Sequence, residues 1–152
     1  MFETVDDIYN YIGQAMFDAL PENWDRATFY ALIVTVDKAM QSKQTYLHQG
    51  QKHDFDVNII NGVAKRTKCS KAFYSLYRIM QKGEKDLSWN KARFQITSEG
   101  DFEIDFKYDE DFEWYKALDV DSKEYDDLDI DIIHQIKSWE GLSDDAPRHW
   151  KQ

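Results

Sequence analysis

Asp105 and Lys107 are the first candidates for chemistry, because they lie two positions apart on one face of a predicted strand. Many metal-dependent nucleases place an acid and a lysine at this spacing, with an upstream Asp that Asp86 could supply. The two acids would bind Mg²⁺, and the lysine would position or activate the attacking water. Alternation alone also puts Asp101, Glu103, Asp105 and Lys107 on one solvent-facing side. We favour the solvated face and keep the Mg²⁺-dependent nuclease as the alternative.

An acidic stretch from Asp119 onward invites a calcium-binding interpretation, since hard cations prefer clustered carboxylate oxygens. The EF-hand pattern fails at its sixth position, where Glu124 replaces Gly, and at its twelfth, where Ile130 replaces Glu. The four histidines show no metal-binding spacing. The sequence therefore predicts no metal site, no cofactor and no enzymatic activity.

Cys69 is the one cysteine, so an internal disulfide is impossible and a reducing compartment is expected. Its neighbours Lys68 and Lys71 could lower the pKa of the thiol, but no paired nucleophile motif surrounds it. The first ten residues lack a basic leader followed by an apolar run, and no stretch approaches the ~20 apolar residues of a membrane span. We expect a cytoplasmic protein that does not bind membranes.

The candidate chemistry depends on a predicted β-hairpin within residues 89–115. In its first strand Ala92, Phe94 and Ile96 alternate with polar residues, and the second strand alternates in the same way from Phe102 to Tyr108. This period is typical of half-buried strands. Gly100 can take the positive φ that a short hairpin loop needs.

The remaining elements complete an α+β domain with helices packed on a mostly antiparallel sheet of about five strands, in the order α-β-β-β-α-β-β-α. One domain is expected over residues 1–152, with a weakly ordered tail after about residue 142. The predicted segments before the hairpin are a helix over 4–20, strands over 26–36, 43–49 and 54–60, and a helix within 63–83. The firmer part of that helix follows Ser70, and Gly83 lies just past its end. After the hairpin, residues 109–127 are expected to form loop or short helix, and Leu128, Ile132, Ile136 and Trp139 define a last helix. Thr4 and Ser70 are the expected N-caps of the first two helices.

The net charge of −10 is unevenly distributed along the chain. From Glu99 to Asp131 there are fifteen acids against three lysines, whereas Asn61 to Arg93 carries a net charge of +7. A strongly acidic protein is a poor general nucleic-acid binder, because phosphate neutralisation needs a surplus of Lys and Arg. An acidic half can instead steer a basic partner toward it.

The hairpin resembles the YezG-like family of antitoxins, or immunity proteins, of bacterial polymorphic toxin systems. The matching positions run from Trp89 through Phe94 and Gly100 to Phe102, and on through alternating apolar and charged residues to Asp109. Leu20 to Trp24 also looks like the family's end of the first helix. The resemblance implies a non-enzymatic cytoplasmic protein that binds and neutralises a cognate toxin, often a nuclease. In its last third the sequence departs from the family, since an Asp-rich segment precedes the final helix.

The leading hypothesis is an immunity protein that covers a basic nuclease toxin with an acidic surface and makes no direct contact with nucleic acid. Aromatic anchors could come from Tyr108, Phe112, Trp114 and Tyr115. A homodimer is possible, and an interface on the basic helix around Lys65, Arg66, Lys68 and Lys71 is the alternative surface. The predicted toxin-binding residues are Asp109, Glu110, Asp111, Glu113, Trp114, Asp119 and Asp121.

Overall fold

The computed structural model describes residues 2–81 and 88–148. The chain divides into two compact units, Met1–Tyr108 and Asp109–Gln152. The prediction of one domain over 1–152 spans both units and stays a prediction.

The first unit is built on a five-stranded antiparallel sheet in the spatial order β3-β2-β1-β6-β7. These strands are β1 (Arg26–Thr35), β2 (Ala39–His48), β3 (Gln51–Phe55), β6 (Lys91–Thr97) and β7 (Phe102–Lys107); a separate small hairpin joins β4 (Ile59–Ile60) to β5 (Val63–Ala64). The helices of this unit are α1 (Val5–Ala19) and α2 (Cys69–Met80). The predicted α+β class and the element order are confirmed.

The predicted hairpin forms from β6 and β7. Phe94 lies opposite Ile104, and Ile96 lies opposite Phe102. Gly100 closes the turn with a φ of 98°, and its amide donates to the carbonyl of Thr97 at 3.0 Å. The positive φ explains why glycine suits this position.

Aromatic side chains fill the core between one face of the sheet and the two helices. Phe29 and Phe94, on neighbouring strands, are 1% exposed, and the ring of Phe29 lies 5.0 Å from that of Phe73 on α2. Helix α1 contributes Ile8 and Ile12, both fully buried. Each such side chain contributes about 1.5–3 kcal/mol when it leaves water, so this face holds the unit together.

Helix α1 begins and ends as predicted. The Thr4 hydroxyl accepts a hydrogen bond from the amide of Asp7 at 3.1 Å, and the helix ends at Ala19, before Pro21. Gly13 lies within it, where an added Cβ would stand 4.0 Å from the ring of Phe94. That is ordinary van der Waals contact, so Gly13 does not mark a close packing contact.

Several boundaries in the first unit differ from prediction. Strands β2 and β3 begin earlier than expected, at Ala39 and Gln51. The helix expected within 63–83 begins only at Cys69, since Val63–Ala64 forms β5 and Lys65 and Arg66 precede α2. Gly83, expected just past the end of this helix, lies outside the described residues.

The expected strand over 54–60 ends at Phe55, because the chain turns at Asp56, whose carboxylate accepts from the amide of Asn58 at 2.8 Å. The buried amide of Val57 then donates to the side chain of Gln44 at 3.1 Å instead of continuing the ladder. The expected N-cap Ser70 is wrong, since α2 starts at Cys69 and its N-cap residue, Lys68, makes no side-chain capping hydrogen bond.

The second unit consists of three short helices, α3 (Glu110–Lys116), α4 (Lys123–Asp126) and α5 (Ile130–Lys137). Helices α3 and α5 contact each other, and the unit buries Phe112, Ile136 and Leu142. The positions of these helices along the chain agree with the predicted short helices and last helix. Among the helices of the described ranges, none has the length and apolar character to cross a membrane.

Candidate functional site

Asp109 fixes the start of the acidic second unit. Its Oδ1 accepts hydrogen bonds from the amides of Asp111 at 2.9 Å and Phe112 at 3.2 Å, which makes it the N-cap of α3. The residue is only 8% exposed. A carboxylate suits this place because it satisfies orphan amides and faces the positive end of the helix dipole. Asp109 therefore shapes the unit from within.

Asp111 is also engaged internally. Arg148 donates two hydrogen bonds to the carboxylate of Asp111, from Nε to Oδ1 and from Nη2 to Oδ2, both 2.9 Å long. The hydrogen bonds to Asp111 are the main reason that the pKa of Arg148 is raised. The guanidinium donates further to the carbonyls of Ala146 at 3.1 Å and Asp144 at 3.4 Å. The described residues after Leu142 contain turns without helix or strand, and Arg148 ties them to α3.

Two more aspartates shape turns in the second unit. Asp119 accepts from the amide of Asp121 at 2.9 Å, and its carbonyl accepts from the hydroxyl of Ser122 at 2.6 Å. Asp129 caps α5 by accepting from the amide of Asp131 at 2.9 Å. Both carboxylates stay exposed, so each can hold its turn and still present negative charge to a partner.

The strongest electrostatic feature of the second unit is the acidic segment, residues 119–131. Every carboxylate in it is exposed, and Lys123 is its one basic residue. Within the described part of the chain, none of these carboxylates forms a salt bridge. Two apolar side chains stand out among them, Val120 at 63% and Ile130 at 59% exposure. The seven acids are Asp119, Asp121, Glu124, Asp126, Asp127, Asp129 and Asp131.

The structure thus separates the predicted toxin-binding residues into three environments: buried, exposed and half-buried. Asp109 and Asp111 are buried, whereas Glu110, Asp119 and Asp121 are exposed. The list of predicted residues omitted the later acids of the acidic segment, although the Asp-rich run in the sequence already indicated them. Toxin contact by any of these residues stays a prediction.

The other two predicted contacts are half-buried. Glu113 forms an ion pair with Lys116, with Oε1 of Glu113 2.8 Å from Nζ of Lys116. Trp114 follows Glu113 on α3. Such a pair one helical turn apart adds only a few tenths of a kcal/mol. Glu113 and Trp114 are accessible enough to touch a partner at the edge of an interface.

Of the other expected aromatic anchors, Phe112 is 1% exposed and belongs to the interior, whereas Tyr108 is 51% exposed. Tyr115 stacks on Tyr125 with ring centroids 6.2 Å apart, and the ammonium of Lys137 lies 5.5 Å from the ring of Tyr115. The hydrogen bond with Tyr115 is the largest cause of the raised pKa of Tyr125. This stack joins α3, α4 and α5 and so organises the unit that carries the acidic segment.

The residues of the alternative nuclease hypothesis have other surroundings. Asp105 accepts a hydrogen bond from Nη2 of Arg93 at 2.9 Å, directly across the β6–β7 ladder. In the part of the chain that the structure describes, no three His, Cys, Asp or Glu side chains are grouped as a metal site. Asp86 lies outside the described residues. The pair supports a strand-face role for Asp105.

Cys69 is buried at the first turn of α2, 3% exposed. Burial raises the pKa of its thiol, and a hydrogen bond with Thr67 opposes that shift only in part. The expectation that Lys68 and Lys71 would lower this pKa is therefore wrong, since both lysines are exposed while the sulfur is desolvated. A neutral, covered thiol is a poor nucleophile.

Comparison with known proteins gives one match and one absence. No curated protein matches the chain. The model of the family described as "Immunity protein YezG-like" matches residues 5–146, which cover most of each compact unit. The chain therefore belongs to the YezG-like family of immunity proteins.

Proposed function

We propose that this immunity protein binds and neutralises a cognate toxin, a basic nuclease, by laying its acidic segment over the toxin's nucleic-acid-binding groove. The observation that carries the proposal is the row of seven exposed carboxylates from Asp119 to Asp131, with no salt bridge among the described residues to neutralise them. The protein would act in the cytoplasm, without contact to nucleic acid or membrane.

The physical reason is that carboxylates can occupy the positions that phosphates take on a nuclease. Lys and Arg side chains that bind a phosphate backbone also form charge-assisted hydrogen bonds with Asp and Glu. Complementary charge raises the association rate at low salt, often more than it raises the final affinity. Exposed Val120 and Ile130 would add the apolar contact that an interface core requires.

The predicted contact residues then divide by role. Glu110 and Asp121 would meet the toxin directly, with Glu113 and Trp114 at the edge of the contact. Asp109 and Asp111 would act by holding α3 in place, because both are buried and hydrogen-bonded. Asp119 would do both, since it holds its turn and stays exposed.

Bacterial co-expression with the cognate toxin domain tests the proposal. The segment variant removes five charges and spares the capping residues Asp109, Asp119 and Asp129; its substitutions are Asp121→Asn, Glu124→Gln, Asp126→Asn, Asp127→Asn and Asp131→Asn. We expect it to lose protection, measured as surviving colonies. Protection equal to that of wild type would remove the acidic segment from the interface.

A matched control removes five exposed acids from the first unit. Its substitutions are Glu3→Gln, Glu22→Gln, Asp54→Asn, Glu99→Gln and Glu103→Gln. Both variants have the same net charge. If only the segment variant loses protection, the loss results from the position of the removed charges and not from the total charge. A reversal variant tests the alternative surface; it changes Lys65, Arg66, Lys68 and Lys71 to Glu. If the reversal variant lost protection while the segment variant still protected, the interface would lie on the basic surface formed by these four residues.

A further inference from the structure

The first unit contains a basic cleft that the proposed function does not use. It has a volume of about 820 Å³ and lies where the β1–β2 turn faces α2. Its charged lining is Lys38, Arg66, Lys71 and Arg78, with Asp37 as the acid among them. The volume is in the range of clefts that bind ligands or short chain segments.

The cations of the cleft are not equivalent. Arg78 forms an ion pair with Asp37, which fixes its guanidinium at the mouth of the β1–β2 turn. Arg66 and Lys71 are exposed, and neither makes a salt bridge within the described residues. One acid against four bases leaves the lining with a surplus of positive charge that calls for an anionic partner.

The cleft also has an apolar wall. Met40 from β2 and Tyr74 from α2 line it together with Phe2. Tyr74 is 7% exposed, and burial raises the pKa of its hydroxyl. A fitting partner therefore combines carboxylates with exposed apolar side chains.

One segment of this same chain has that combination. The acidic segment places Val120 and Ile130, two of the most exposed apolar residues, among its seven carboxylates. We propose that the basic cleft of one copy binds the acidic segment of a second copy, so that the protein self-associates when no toxin is present. This association is a property beyond toxin neutralisation and is measured without any toxin.

The net charge of −10 does not forbid such contact. At physiological ionic strength the Debye length is ~8 Å, so charges far from the interface are screened while the touching groups are not. The two surfaces differ in kind, so the interface is heterologous unless two copies exchange segments reciprocally. In either arrangement, added salt weakens the association.

Sedimentation velocity over a concentration series tests the proposal on the full chain. Wild type is expected to pass from monomer to larger species as concentration rises, and to return toward monomer at high salt. The cleft variant Arg66→Glu/Lys71→Glu is expected to associate ~10-fold more weakly or worse. Its control, Lys43→Glu/Lys52→Glu, makes the same charge change on exposed strand positions and is expected to associate like wild type.

Mixing the segment variant with the cleft variant shows whether each one lost association through its altered surface or through misfolding. At concentrations where wild type associates, the segment variant and the cleft variant are each expected to stay largely monomeric alone. Their mixture is expected to associate, because one partner keeps an intact cleft and the other an intact segment. Monomeric wild type at every concentration, equal loss in the Lys43/Lys52 control, or no association in the mixture would each overturn the proposal.

Discussion

Arg148 holds Asp111 from 37 residues away with two parallel hydrogen bonds, each 2.9 Å long. Both side chains are largely covered, at 16% and 10% exposure, so the pair is a covered polar contact between α3 and the residues that follow Leu142. Removing one partner leaves the other charge covered and uncompensated, which is more damaging than losing an exposed pair.

Asp111→Asn is expected to lower the thermal midpoint by several degrees and to reduce amide protection over residues 109–148 in hydrogen exchange. Arg148→Lys keeps the charge but loses the two-bond geometry, so it is expected to fall between Asp111→Asn and wild type. Asp145→Asn changes an exposed acid of the same tail and serves as the control. If Asp111→Asn and Asp145→Asn had the same thermal midpoint, the pair of Arg148 and Asp111 would not stabilise the second unit.

Two glycines in the first unit are expected to respond in opposite directions to the same substitution. Gly100→Ala forces a Cβ into a turn with φ of 98° and is expected to cost about 1 kcal/mol or more in the free energy of unfolding. Gly13→Ala adds a methyl group in ordinary contact with Phe94 inside α1 and is expected to gain about 0.5–1 kcal/mol. Urea unfolding of both variants measures the difference. A destabilising Gly13→Ala would show that the helix cannot accept the methyl group.

The thiol of Cys69 links stability to alkaline pH. Its folded-state pKa is raised, so the folded state holds the proton more tightly than the unfolded state does. The resulting stability is present below the unfolded pKa of about 8.5 and is lost as pH rises above it. Cys69→Ser is expected to flatten the fall in the free energy of unfolding above pH 8.5, measured by urea titrations at several pH values.

The same burial predicts slow alkylation of Cys69 by iodoacetamide at pH 8 in the folded protein and fast alkylation in urea. A thiol that reacted equally fast in both states would contradict the raised pKa and the buried environment.

Asp105→Asn distinguishes the strand face from a catalytic site. Its partner Arg93 and Asp105 itself are both about a third exposed, so we expect a loss of ~1 kcal/mol or less and full protection against the toxin. Protein purified with and without the substitution is incubated with DNA and RNA in Mg²⁺ or Mn²⁺. Cleavage by wild type that disappears in Asp105→Asn would instead support the nuclease hypothesis.

Periodicity was sufficient to predict the elements whose partners are close in sequence. The alternation of Phe94 and Ile96 with polar residues determined which side of β6 is buried, and Gly100 marked the turn. The end of β3 was predicted wrongly because it depends on Gln44, a residue of β2 that captures the amide of Val57. No local pattern reveals that bond.

In the acidic second unit, too, the sequence predicts only what depends on neighbouring residues. Composition indicates that negative charge concentrates there, but it does not separate a carboxylate that caps a helix from one that faces solvent. Asp109 precedes a helix and could have been identified as an N-cap from its position. The role of Asp111 depends on Arg148, which lies far along the chain, so only the structure assigns it.

The most direct test of the account is the association rate of purified toxin domain with wild type and with the segment variant, measured by stopped flow at rising salt concentration. We expect a wild-type rate that falls steeply with salt, and a segment-variant rate that is at least ~10-fold lower at low salt and changes little with salt. The five-charge control on the first unit is expected to follow wild type. Equal rates and equal salt dependence for wild type and the segment variant would contradict the claim that residues 119–131 recognise the toxin.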